Sequence, residues 1–161
     1  MKFKIAVVCV SDRSSRGERE DLSGSAISRI LDGMAETVEY ICVPDEKEII
    51  SQELIRLCGG KAHVVFTTGG TGLSPRDVTP EATLSVAEKL VPGMAEAMRQ
   101  KSLEITSKAM LSRAVCAVRG NCLIINLPGS PKAVEECLEV IKPVLPHAVE
   151  LLCGNVSDCA R

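Results

Sequence analysis

The chain has no tryptophan, one tyrosine and two phenylalanines, so aromatic residues make up only 2% of it. That scarcity removes the flat side chains on which nucleic-acid binders stack bases. It also requires a core of aliphatic and sulfur-bearing side chains, because hydrophobic residues still reach 45%. A surplus of charge is missing too: 19 Lys and Arg stand against 21 Asp and Glu, a net of −2. Such a balance offers no electrostatic case for nucleic acid or a membrane as partner. The two histidines, His63 and His147, lie against apolar neighbours, and no Ser-His-Asp or Cys-His constellation can be argued. The eight cysteines stand at 9, 42, 58, 116, 122, 137, 153 and 159 without a Cys-x-x-Cys pair, so their spacing gives no metal site. Cys9, Cys42, Cys116 and Cys137 fall inside apolar patterns, where a thiol serves as a small hydrophobe. We expect reduced, structural cysteines and a cytoplasmic protein. No apolar run approaches the length of a membrane span, and the strand pattern that starts at Met1 leaves no signal-peptide region.

What remains is enough for one domain over residues 1–161, with a frayed tail expected at 154–161. Phe3 to Ser11 reads as a strand covered on both faces. Residues 12–21 are too charged for burial and read as a long surface loop. A helix from about Ser23 to Gly33 follows, then a strand, Thr37 to Val43. Asp45-Glu46-Lys47-Glu48 opens a helix with Ile50, Leu54 and Leu57 as its buried stripe, closed by Gly59-Gly60. Asp45 has two readings at this point. It fits a capping box with Glu48, and it fits a carboxylate just past a strand end, where open α/β sheets bind ligands.

The most distinctive stretch is Thr67-Thr68-Gly69-Gly70-Thr71-Gly72-Leu73-Ser74-Pro75-Arg76-Asp77-Val78-Thr79-Pro80. It leaves the buried strand Ala62 to Phe66 and leads into a helix expected over Glu81 to Leu90. Three glycines clear Cβ atoms from the backbone and permit the positive φ that turns N–H groups toward one point, which suits phosphate. The spacing matches neither a Walker A loop nor a dinucleotide fingerprint. Arg76 suits a phosphate, whereas Asp77 would repel one unless a divalent cation lay between them. Thr79 and Pro80 are explained as N-cap and first helical residue.

Further on, Met94 to about Leu103 is helical, and Ser102 to Arg113 is polar and weakly patterned. Its Ser112-Arg113 pair fits either a turn or a ligand contact. Ala114–Val118 and Cys122–Leu127 flank a hairpin turn at Arg119-Gly120-Asn121, implying one antiparallel strand in a mostly parallel sheet. At the junction Asn126-Leu127-Pro128-Gly129-Ser130-Pro131, Ser130 and Pro131 suffice to start a helix. Asn126 and Gly129 exceed that need and are candidate ligand contacts.

Thr-Thr-Gly-Gly-Thr-Gly, Arg-Asp-Val-Thr-Pro and Asn-Leu-Pro-Gly with Ser-Pro, in this order and separation, resemble the molybdopterin adenylyltransferase family. This is the MogA/MoaB type, related to the gephyrin G domain. The resemblance covers nearly the whole chain. It implies a three-layer α/β/α sandwich, commonly trimeric, that joins ATP to molybdopterin and releases pyrophosphate, with a molybdenum insertase as a downstream partner. It implies catalytic and Mg²⁺-holding roles for Asp77 and Asp45, and phosphate binding by Gly69, Gly70, Thr71, Gly72 and Arg76. It places Ser112, Asn126, Pro128, Gly129 and Ser130 on the pterin side, with Ser11 and Asp12 nearby. The competing reading is a pterin carrier of the same fold that performs no chemistry.

Overall fold

The computed structural model describes residues 2–154, so the expectation for the tail falls, beyond Gly154, outside the described residues. Six strands form one sheet: β1 (Phe3–Val10), β2 (Ala35–Val43), β3 (Val64–Thr68), β4 (Lys89–Leu90), β5 (Cys116–Arg119) and β6 (Cys122–Leu127), in the order β2-β1-β3-β6-β5-β4. β1 pairs in parallel with β2 and β3, and β3 with β6. β5 runs antiparallel to both of its neighbours, as the hairpin turn requires. Gly120 supplies the turn's positive φ of 56°.

Two layers of helices cover this sheet. Helices α2 (Ser23–Ile30), α5 (Pro92–Leu103), α6 (Pro131–Ile141) and α7 (Leu145–Leu152) pack on one face, where Ile27, Met98, Leu138 and Leu145 meet Ile5, Phe66 and Ile125. Helices α3 (Lys47–Cys58) and α4 (Thr79–Val86) pack on the other, where Ile50, Leu54 and Ala82 meet Val8, Val65 and Ile124. Strands buried on both faces explain the unbroken apolar runs of β1 and β3. The architecture is the expected α/β/α sandwich. The seven described cysteines are free thiols. No helix among the described residues is long and apolar enough to cross a membrane.

Three local expectations fail, each for a physical reason. Residues 12–21 are not all loop: Ser11 accepts from the Ser14 amide and caps a short helix, α1 (Asp12–Ser15). The helix expected to reach Leu90 stops at Val86, and Lys89–Leu90 becomes the edge strand β4. The Glu88 and Val91 amides donate to Val118 and Cys116 carbonyls, and Arg119 takes the Val86 carbonyl, so β5 captures the segment. Finally, Thr79 does not cap α4. Val78 precedes the helix, and the Thr79 hydroxyl donates to the Gly69 carbonyl at 3.0 Å instead.

Chain order makes the crevice. From β1 the chain crosses outward to β2, whereas from β3 it goes to the opposite side, to β4, β5 and β6. The connections therefore diverge between β1 and β3, and ligands of open α/β sheets bind outside the carboxyl ends of strands at such a point.

Candidate functional site

The segments leaving β1, β2 and β3 meet at this divergence. Asp45 does not cap α3: the residue before the helix is Glu46, with no side-chain cap bond. Its Oδ2 instead accepts from the Asp12 amide at 2.9 Å, while Asp12 Oδ1 accepts from the Asp45 amide at 3.0 Å. This reciprocal pair locks the β1 and β2 exits together. Asp12 also takes both Nε and Nη2 of Arg76, at 3.1 and 2.8 Å, which ties the tip of the glycine loop across the crevice. Burial raises the Asp45 carboxyl above its ordinary value, and the charges of Asp12 and Asp77 act the same way against the Asp12 amide bond. The Arg76 guanidinium, joined by the Asp45 amide, holds Asp12 below its ordinary value. Neighbouring carboxylates thus sit in opposite electrostatic situations.

The glycine loop is held by its own backbone. Gly69 (φ 88°) donates to the Leu127 carbonyl, and a Cβ there would come within 2.6 Å of the Val10 carbonyl. Gly70 (φ 67°) accepts from the Thr79 amide. Among the described residues, the N–H groups of Gly70, Thr71 and Gly72 have no protein acceptor. Asp77 closes the loop, its Oδ2 accepting from the Ser74 amide at 3.0 Å.

Two cavities border this loop. The first, about 520 Å³, brings together Asp45, Asp77, Gly69, Gly70, Ser11 and the Gly129-Ser130 turn. The second, about 310 Å³, is lined by Thr71, Gly72, Ser112, Asn126 and Pro128 with apolar side chains such as Met98. The residues expected on the pterin side are therefore divided between the cavities, and Asp12 and Arg76, paired with each other, line neither. Asn126 is fully buried, and its side chain is committed to the scaffold. It donates to Thr67 and Thr83 hydroxyls at 3.0 and 2.9 Å and accepts from the Val115 amide. Ser130 caps α6 as expected, accepting from the Ala133 amide. Ser112 accepts from the Ala114 amide.

Sequence reasoning overlooked Asp21, read Thr79 as a helix cap and left Arg113 open between a turn and a ligand contact. Asp21, assigned to a surface loop, lines the first cavity and accepts from the Ser23 and Gly24 amides and the Tyr40 hydroxyl. An Asp two residues before a serine that opens a helix was the available signal. Thr79 and Arg113 act on the loop through contacts distant in sequence, which no local pattern reveals. Cys9 also lines the first cavity, but burial, followed by the Asp21 charge, pushes its thiol up to about 12, so it is neutral at pH 7 and no thiolate nucleophile.

The acidic pair and the Gly70 amide lie together where the sheet's connections diverge, the place where open α/β sheets bind ligands. The sequence comparisons identify the family. Residues 6–147 match the family described as "Probable molybdopterin binding domain", and the chain belongs to that family. It is 46% identical over 155 residues to the molybdopterin adenylyltransferase of Helicobacter pylori J99, covering 94% of this chain and 88% of the relative. It is 41% identical over 174 residues to the Escherichia coli K12 protein of the same name, covering 98% and 89%. The crystal structure of the molybdopterin biosynthesis enzyme MoaB from Thermus thermophilus superposes with a TM-score of 0.89 at 47% identity, covering 94% of this chain and 97% of that one.

Proposed function

We propose that the chain is a molybdopterin adenylyltransferase of molybdenum cofactor biosynthesis, and that its chemistry takes place at the crevice between β1 and β3. The observation that carries the site assignment is the convergence at one cavity of Asp45, Asp77 and Gly70, whose amide has no protein acceptor. ATP and molybdopterin are the substrates. Transfer of an adenylyl group to a terminal phosphate needs no protein nucleophile, because the attacking oxygen is already anionic. The requirements are in-line positioning and relief of the charge on the departing pyrophosphate.

The residues fit those requirements. Gly70, Thr71 and Gly72 offer N–H groups to phosphate oxygens, and Arg76 can exchange its exposed bond with Asp12 for a phosphate. The loop borders both cavities, so two substrates can meet across it. Asp77 and Asp45 would hold Mg²⁺. Two carboxylates supplemented by substrate phosphates suit that ion, and among the described residues no set of three or more His, Cys, Asp or Glu side chains could bind a metal without substrate. The Asp45 carboxyl, raised first by burial and then by the Asp12 and Asp77 charges, would be relieved by a cation. When bound, magnesium supplies charge neutralisation on the transferring phosphates. Thr79 and Asp12 hold the loop in place from either side.

The same reading includes a cytoplasmic homotrimer. The exposed apolar side chains Ile105, Met110 and Leu111, near or within the Ser107–Leu111 turn, support a subunit contact there. A molybdenum insertase would take the product. The test is pyrophosphate release by purified protein given ATP. Release that requires both molybdopterin and Mg²⁺ supports the enzyme; molybdopterin binding without release makes the chain a carrier.

A further inference from the structure

Arg113 lines neither cavity, yet it grips the glycine loop from behind. Its Nε donates to the Gly72 carbonyl at 2.7 Å and its Nη2 to the Asp77 carbonyl at 2.8 Å. Its Nη1 pairs with Glu81 in the first turn of α4, and its own amide donates to the Thr71 carbonyl at 2.9 Å. One planar group therefore joins the two ends of the Leu73-Ser74-Pro75-Arg76 excursion and fastens both to a helix. Only a forked donor set can do this. An ammonium carries the same charge but lacks the fixed spread of N–H groups needed for two carbonyls and a carboxylate.

We infer that Arg113 is a positioning residue for adenylyl transfer: by fixing the Gly72 and Asp77 carbonyls it sets the Asp77 carboxylate at the first cavity before substrates arrive. The inference rests on the reading that Asp77 serves the reaction. A carboxylate displaced by about 1 Å is enough to cost roughly 100-fold in rate. All three guanidinium nitrogens of Arg113 are engaged by the loop and Glu81, which distinguishes this role from direct contact with phosphate.

The experiment compares Arg113→Lys, Arg113→Ala, Asp77→Asn and the Arg113→Lys/Asp77→Asn double variant in kcat/KM and melting temperature. Arg113→Lys should lose about 100-fold in kcat/KM, with the half-saturating Mg²⁺ concentration raised. Ethylguanidinium should restore part of the Arg113→Ala rate where ethylammonium does not, a rescue that a purely structural loss would not show. In the Asp77→Asn background the lysine substitution should cost nothing further. Should the Arg113 variants fail to fold, Glu81→Gln replaces them, with a several-fold loss in the native background and none beside Asp77→Asn. Full activity of Arg113→Lys, or an equal loss in both backgrounds, overturns the inference while leaving Asp77 in its role. Full activity of Asp77→Asn removes Asp77 from the reaction and the inference with it.

Discussion

Replacing Gly70 with alanine tests whether the loop's shape, and not merely its composition, makes the site. A Cβ at Gly70 would stand 2.3 Å from the Thr79 hydroxyl oxygen and 3.3 Å from Asp45 Oδ1. The backbone φ of 67° would cost an alanine about 1–2 kcal/mol. The hydroxyl must also yield its bond to the Gly69 carbonyl, worth about 1 kcal/mol. The sum, about 2–3 kcal/mol, predicts a melting temperature lower by about 4–12 °C for a chain of this size. Activity should fall further than stability does, because the shifted residue lies between the free amides and Asp45. Adding Thr79→Ala removes the closest clash, so the double variant should lose less stability than the sum of its parts. Gly93→Ala is the control: no atom lies within 4 Å of its Cβ position, at the start of α5, and both stability and turnover should be preserved. Calorimetry and pyrophosphate release read all four proteins. If Gly70→Ala melted and turned over like the native chain, the claim that the positive-φ loop is required would be wrong.

Other substitutions separate scaffold from chemistry. Asn126→Ala should cost about 2–4 kcal/mol in urea unfolding, since it strands the Val115 amide and two buried hydroxyls. Asp45→Asn should raise the stability of the substrate-free protein at pH 7 while lowering turnover. The raised Asp45 carboxyl means that its ionisation opposes folding at neutral pH, so the gain should shrink as acid protonates the native group and vanish below its unfolded value. Thermal melts across pH check both the sign and the window. Arg76→Ala breaks an exposed, solvent-screened ion pair and should barely move the melting temperature. It should raise KM for ATP if Arg76 exchanges Asp12 for phosphate.

The parts of the fold that are local in sequence were legible there. The apolar run of β1, the hairpin glycine at 120 and the Ser130-Pro131 helix start each act within a few residues, and the structure has them where expected; β3 runs two residues later than Ala62 to Phe66, because Thr67 and Thr68 pair with Val8 and Cys9 of β1. Asp45 and Asp77, named from the sequence, line one cavity. What escaped depends on partners far along the chain. β4 exists because β5 captures an amide on either side of a two-residue segment. Thr79 looks like a helix cap until the Gly69 carbonyl, ten residues back, is seen to hold its hydroxyl. Asn126 exceeds the needs of a helix start because it satisfies two threonines and an amide inside the sheet, a demand visible only once the strands are side by side. The Arg113 contacts span 41 and 36 residues, and no periodicity encodes them.

The most direct measurement is a crystal structure of the protein with a non-hydrolysable ATP analogue and Mn²⁺ in place of Mg²⁺, the metal located by its anomalous signal. The account predicts one or more Mn²⁺ ions coordinated by the Asp77 or Asp45 carboxylate, with triphosphate oxygens on the amides of Gly70 to Gly72. A nucleotide seated elsewhere, or metal bound without either carboxylate, would contradict it.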